Sequence, residues 1–146
     1  MAGPTSVRFD EPVTERLASY VARHPGLTRS AAAARYVDEG LRMDEYPGIM
    51  FRDGPAGRRA TVVGGPDVWE IVRAVKSART AEPKLSDQDL LVMLEENTGV
   101  SSRMVRTALD YWGAYPDEVN ALVEYAERAE AEYATAAERA ASLLTR

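Results

Sequence analysis

Ser6-Val7-Arg8-Phe9 alternates polar with apolar side chains and runs straight into Asp10-Glu11-Pro12, a helix start. In an extended chain successive side chains point to opposite faces, so Val7 and Phe9 share one face while Ser6 and Arg8 share the other. A strand this short has no stability alone. The same strand from a second copy of the chain can pair with it, and a two-stranded ribbon fits the major groove of DNA. One face then suits a core and the other suits base edges, but only in a dimer.

Two short helices come after the strand. Asp10 stands as N-cap, with Glu11 and Pro12 in the first turn, where an acid and a missing N–H are both tolerated. Val13, Leu17, Tyr20 and Val21 fall on one helical face, and His24-Pro25-Gly26 breaks the run, which predicts a helix over Glu11–Arg23. Thr28 is a second N-cap, opening an alanine-rich helix over Ala31–Leu41 with Ala34, Val37 and Leu41 down one side. Met1 to Thr5, containing Gly3 and Pro4, reads as a loose arm.

This order, carried by Ser6-Val7-Arg8-Phe9, Val13, Leu17, Gly26-Leu27-Thr28-Arg29-Ser30 and Val37, resembles the ribbon-helix-helix family of Arc and CopG-like repressors and antitoxins. The resemblance covers Ser6 to Arg42. It implies a homodimer on operator DNA, with Ser6 and Arg8 facing bases and Thr28, Arg29 and Ser30 clamping a phosphate at the start of the second helix. Free N–H groups and the helix dipole both favour an anion there. Pro4 stands where the family usually has a third base-reading side chain, which leaves two readers per strand. A small helical bundle capped by a stray strand is the plainer alternative.

Met43 to Pro47 reads as a polar hinge. Two β-prone runs, Ile49–Arg52 and Arg58–Val63, flank Asp53-Gly54-Pro55-Ala56-Gly57 and predict a hairpin closed by Gly64-Gly65-Pro66. Val68, Ile71, Val72 and Val75 then fall at helical spacing, with Trp69 beside them, in a helix that ends near Ala78. Ser86 caps another helix, Thr98-Gly99-Val100-Ser101 breaks it, and Ser101 or Ser102 caps a third. In that third helix Val105, Ala108, Leu109 and Trp112 face inward while Arg103 and Arg106 look out. Two helices around Gly99 have the spacing of a helix-turn-helix, which would make Arg103 and Arg106 a second DNA contact. A helical bundle has the same spacing, and the net negative charge of this segment favours the bundle.

Residues 46 to 120 resemble domain-of-unknown-function family 433, small helix-turn-helix domains found in antitoxin-like proteins paired with PIN-like nucleases. The residues carrying this are Tyr46-Pro47-Gly48-Ile49, Phe51-Arg52-Asp53-Gly54, Arg58-Arg59, Val68-Trp69-Glu70-Ile71, the run from Val105 to Tyr111, and Tyr115-Pro116-Asp117-Glu118-Val119. Gly64-Gly65-Pro66 occupies the region where a common form of the family has Gly-Thr-Arg. The resemblance implies a toxin partner, a PIN-like ribonuclease. Such nucleases hold metal with carboxylates, so Arg58 and Arg59, adjacent after a Gly-rich turn, are candidates to block one.

From Pro116 a last helix carries Val119, Leu122, Ala126, Ala129, Tyr133, Ala136, Ala140 and Leu143 at alternating spacings of three and four. The stripe is flanked by glutamates and needs another helix or a groove. Val119, Leu122, Ala126 and Tyr133 are therefore the rival toxin contacts, as an amphipathic ligand.

Charge divides along the chain. Residues 1–42 and 43–80 each hold six basic and five acidic groups, whereas 81–116 hold three and six and 117–146 three and seven. A polyanion would therefore meet the first half. There is no cysteine, and no charged start with an apolar run behind it, so a cytoplasmic location and no membrane contact are expected. His24 is the only histidine, and no nucleophile, metal-ligand or phosphate-loop pattern accompanies it, so no catalytic role, metal or cofactor is expected.

The fold expected is mainly α with short β. Residues 1–42 form a ribbon-helix-helix for dimerisation and DNA binding, 43–47 a hinge, 48–116 a hairpin plus helix-turn-helix-like domain, and 117–146 an amphipathic helix. The function expected is an antitoxin-type transcriptional regulator. The alternatives are a stand-alone repressor whose C-terminal domain is a second reading head or a ligand sensor, and a scaffold that binds no DNA.

Overall fold

The computed structural model describes residues 3–145; Met1 and Ala2 of the expected arm and Arg146 of the C-terminal segment lie outside it. The chain is mainly helical, with one short hairpin, and its contacts divide it into two compact units, Met1–Arg42 and Met43–Arg146.

In the first unit, residues 3–10 take no regular secondary structure and are exposed. The strand expected at Ser6–Phe9 is therefore not formed in the single chain, because a ladder needs a second strand to accept its hydrogen bonds. Helix α1 (Glu11–Ala22) starts where Asp10 accepts a hydrogen bond from the Val13 N–H at 3.3 Å. Helix α2 (Arg29–Glu45) starts behind Thr28, whose hydroxyl accepts from the Ala31 N–H at 3.1 Å. It extends well past Leu41, so Met43–Glu45 is helix and not hinge. No Pro, Gly or other breaker stands between Leu41 and Pro47 to stop it. Tyr20 ties the two helices together: it accepts a hydrogen bond from Arg35 at 3.3 Å and meets the Tyr36 ring edge-on at 5.2 Å.

The second unit is built on the hairpin β1 (Ile49–Gly54) and β2 (Gly57–Val62), paired antiparallel from Ile49↔Val62 to Gly54↔Gly57. Only Pro55 and Ala56 form the loop. Gly57 comes directly after them at φ 102°, a backbone conformation that L side chains rarely adopt. Ile49, Ala60 and Val62 are buried on the inner face. The outer face is half covered as well: Gly64-Gly65-Pro66 folds back so that Thr61 bridges to Asp67 and the Thr61 hydroxyl donates to the Pro66 carbonyl at 3.2 Å.

Asp67 is the N-cap of helix α3 (Val68–Ala81). Its N–H donates to the Glu70 carboxylate at 3.0 Å, while its own carboxylate accepts from Arg59 and, at 3.2 Å, from the Trp69 indole. Arg59 lies directly opposite Arg52 in the hairpin register, and the Arg52 Nε stands 4.0 Å from the other Asp67 oxygen. Like charges opposite one another in a ladder repel. Asp67 supplies the counter-charge for both.

Helix α4 (Asp87–Thr98) is capped by Ser86 and ended by Gly99 at φ 75°, and helix α5 (Ser102–Ala114) is capped by Ser101. Helix α6 (Pro116–Ser142) closes the unit. The core gathers Val68, Ile71 and Val72 of α3, Leu91 of α4, Val105, Ala108 and Tyr111 of α5, and Val119 of α6 against the hairpin. Tyr111 is the largest fully buried side chain. Its hydroxyl donates to Glu118 at 2.5 Å, and the rings of Tyr46, Phe51 and Tyr115 surround it at 4.9 to 6.2 Å.

Asp67→Ala strips the counter-charge from two cross-strand arginines and leaves the half-buried Arg59 without a carboxylate partner. Breaking a buried pair in this way costs about 3 kcal/mol. The second unit's urea midpoint should therefore fall, whereas a change of Asp53, whose side chain is mostly exposed, should move it by under about 1 kcal/mol. Equal midpoints for the two variants would remove Asp67 from this role.

Candidate functional site

In the first unit the expected DNA contacts are all on the surface: Ser6, Arg8, Thr28, Arg29 and Ser30 are exposed. Thr28 caps the Ala31 N–H, and the first N–H groups of α2 have no acceptor within the helix, so they face outward as donors. His24 is occupied locally, its Nδ1–H donating to the Tyr20 carbonyl at 2.8 Å with the two rings stacked at 4.0 Å.

The apolar side of this unit is not closed. No residue of α1 is buried, and Val7, Phe9, Val13, Tyr36, Val37 and Leu41 are 37 to 65% exposed. The face of α2 expected to pack inward, Ala34, Val37 and Leu41, lies open, and the buried α2 positions are Ala32 and Glu39 instead. Two short helices bury too little area to cover one another's stripes. Between them is a groove of about 800 Å³ lined by Phe9, Val13, Leu17, Tyr20, Tyr36 and Val37. Phe9 thus already sits beside the apolar residues of both helices.

The second unit redistributes the other candidates. Arg59 is turned onto Asp67 and also donates to the Asp53 carbonyl, and Arg58 stands 3.5 Å from the Asp53 carboxylate. Neither guanidinium projects as a bare cation, because Asp53 of the hairpin lies within reach of Arg58 and Asp67 at the start of α3 within reach of Arg59. Val119 is 1% exposed and belongs to the core, so it is not a partner contact. Leu122 and Ala126 are half-buried, and of the four stripe residues only Tyr133, at 78%, is fully open. The stripe splits because α6 packs on α3 and α5 only over its first turns. Beyond Ala126 every described residue is exposed.

Arg103 and Arg106 are exposed on α5, behind the left-handed turn at Gly99. Arg106 also rims a groove of about 680 Å³ between α3, α4 and α5, together with Lys76 and Arg79. Sequence reasoning did not single out these two cations because only the packing of α3 beside α4 and α5 brings them near Arg106, where Lys76 donates to Asn120 and Arg79 to the Asp87 carboxylate. Among the described residues no cluster of histidine, aspartate or glutamate could hold a metal ion, and no helix is long and apolar enough to cross a membrane.

Comparisons with protein-family models, with curated proteins and with solved structures find no match to this chain.

The open face of the first unit generates a thermodynamic expectation. If a second copy covers it, the unfolding transition of this unit rises with chain concentration. Circular dichroism melts at two concentrations a hundredfold apart should show the shift, and Val37→Glu should abolish it. A concentration-independent transition with a monomeric sedimentation mass would show that the face stays open.

Proposed function

We propose that this protein is an antitoxin-type transcriptional regulator. Two chains pair through Ser6–Asp10 into a ribbon-helix-helix dimer, the ribbon enters the major groove of operator DNA, and the C-terminal unit neutralises a toxin, a PIN-like nuclease. The observation that carries this reading is the pairing of an exposed, alternating, unpaired segment with two helices whose apolar stripes lie open beside it. One second copy would satisfy both. Arg8 then reaches a guanine edge, Ser6 a neighbouring base, and Thr28 to Ser30 a phosphate at the start of α2.

A second reading, a stand-alone repressor with another reading head, draws on the capped turn at Gly99-Val100-Ser101 and on exposed Arg103 and Arg106. The two readings differ in which arginines bind DNA. In a gel-shift titration Arg8→Ala should weaken specific binding by about 1 to 3 kcal/mol, while Arg103→Ala with Arg106→Ala should leave it within about a factor of two. The reverse pattern would transfer the reading head to α5, and loss in neither variant would remove DNA from the function.

Toxin neutralisation is tested by co-expression rescue. Truncation after Glu127 removes the exposed end of α6 while keeping Val119 and Val123 in the core. It should release the toxin, whereas Arg58→Ala with Arg59→Ala should not, given that both arginines are engaged by carboxylates. Protection and co-purification that persist in both variants would exclude both surfaces.

A further inference from the structure

Beyond Ala126 helix α6 carries an open stripe of Ala129, Tyr133, Ala136, Ala140 and Leu143, in which Tyr133 and Leu143 are 78 and 88% exposed. Glu130, bonded to Arg73, borders the stripe on the side toward α3, so the stripe itself points sideways from the packed unit. On its other border stand Glu132 and Arg139, one heptad apart. Neither forms an ion pair with a described residue of its own chain.

The order of large and small residues, and of acid and base, specifies what covers this stripe. If a second α6 runs antiparallel across it, one register sets Tyr133 against Ala136 of the second copy, Leu143 against Ala126 and Ala129 against Ala140, and the two-fold axis repeats each contact. Both large side chains then meet an alanine. The same register sets Glu132 beside Arg139 of the second copy, again twice. A slide of one heptad in one direction brings the two Arg139 side chains together, and in the other direction the two Glu132 side chains. A parallel pair stacks Tyr133 on Tyr133 and Leu143 on Leu143 while alanine faces alanine, and it leaves Glu132 and Arg139 opposite Ala137 and Leu144. Size and charge thus select one register independently, and the occupant they select is another copy of this helix.

We propose that the exposed ends of α6 from two copies of this chain pair antiparallel over Ala126 to Leu143, with Tyr133 and Leu143 seated on alanines and Glu132 and Arg139 joined reciprocally across the pair. The contact uses no residue of the N-terminal unit, so it stands or falls separately from the ribbon-helix-helix reading. A single short helix pair lies at the low end of interface sizes, below about 1,200 Å². The pairing is therefore reversible, and covalent capture reads it better than mass.

The chain has no cysteine, so single introduced thiols report the pairing in the full protein. Tagged chains carrying Ala129→Cys are mixed with untagged chains carrying Ala140→Cys and oxidised mildly. The mixed disulfide should exceed the same-site disulfide of either variant about five-fold or more. It should exceed by as much the product of Ala140→Cys with Ala131→Cys, which lies on the opposite side of the helix. Association through the N-terminal unit raises all of these products alike and leaves their ratios unchanged. Charge reversal supplies the second arm. Arg139→Glu in both chains sets glutamate against glutamate, Glu132→Arg in both sets arginine against arginine, and each should lower the mixed yield about three-fold or more. Arg139→Glu in one chain with Glu132→Arg in the other restores both ion pairs and should restore the yield. All these positions are exposed, so the changes leave the core intact. Equal yields at every position, no product at all, yields that ignore the charge reversals, or complementary chains that pair no better than like ones would overturn the proposal. Same-site products in excess would overturn it as well, in favour of a parallel pair.

Discussion

One carboxylate holds the second unit together. The hairpin register sets Arg52 opposite Arg59, an arrangement that repels on its own, and Asp67 stands within reach of both because Gly64-Gly65-Pro66 turns the chain back over the outer face of β2. The same residue caps α3, and Trp69 donates to it from the first turn. Turn, ladder and helix start therefore share one anion. The register set by the two-residue loop, whose opposed arginines Asp67 offsets, places Ile49, Ala60 and Val62 inward, and α3 begins at the position from which Val68, Ile71 and Val72 can cover them. Loss of this charge would affect strand pairing and the α3 start together, since both are stabilised through the same two oxygens.

The two units satisfy their apolar residues differently. The second has eleven buried residues in one cluster and an aromatic group packed around Tyr111. The first has two helices that touch through Tyr20 and leave their stripes open. A segment of some forty residues is below the size at which a lone chain buries enough surface to be stable. Under the proposed function that apolar face is half of an interface, and the alternation at Ser6–Phe9 is the element through which the halves would join.

Much of the helical framework was legible because its punctuation is chemical. Asp10, Ser86 and Ser101 each cap the helix behind them, and Gly99 closes α4 in the left-handed region, all signals carried by single residues. Helix ends without a breaker were not legible: α2 runs through Met43–Glu45 and α3 to Ala81, since nothing in those sequences stops a helix. The stripe on α6 was visible as a period but not as a division between a packed and an open half, because periodicity reports which face is apolar and not how far a neighbour extends along it. Val123, off the expected seam, is buried while Leu122 is half-buried, because α3 and α5 meet α6 to one side of the stripe. The engagement of Arg58 and Arg59 depends on Asp53 and Asp67, whose positions come from a loop of two residues and a backward turn; neither is a property of the arginines themselves.

The open half of α6 has a consequence for how this chain can change. Residues 127–145 are all exposed and take no part in the core, and seven alanines within them sustain the helix by intrinsic propensity. Substitutions on such a surface usually shift stability by no more than about 0.5 kcal/mol. The residues that a partner of this helix would meet are thus separated from those that make the unit fold. Selection can rewrite that end of the molecule for a new associate at almost no cost to folding, a latitude that Tyr111, Val119 and Asp67 do not have.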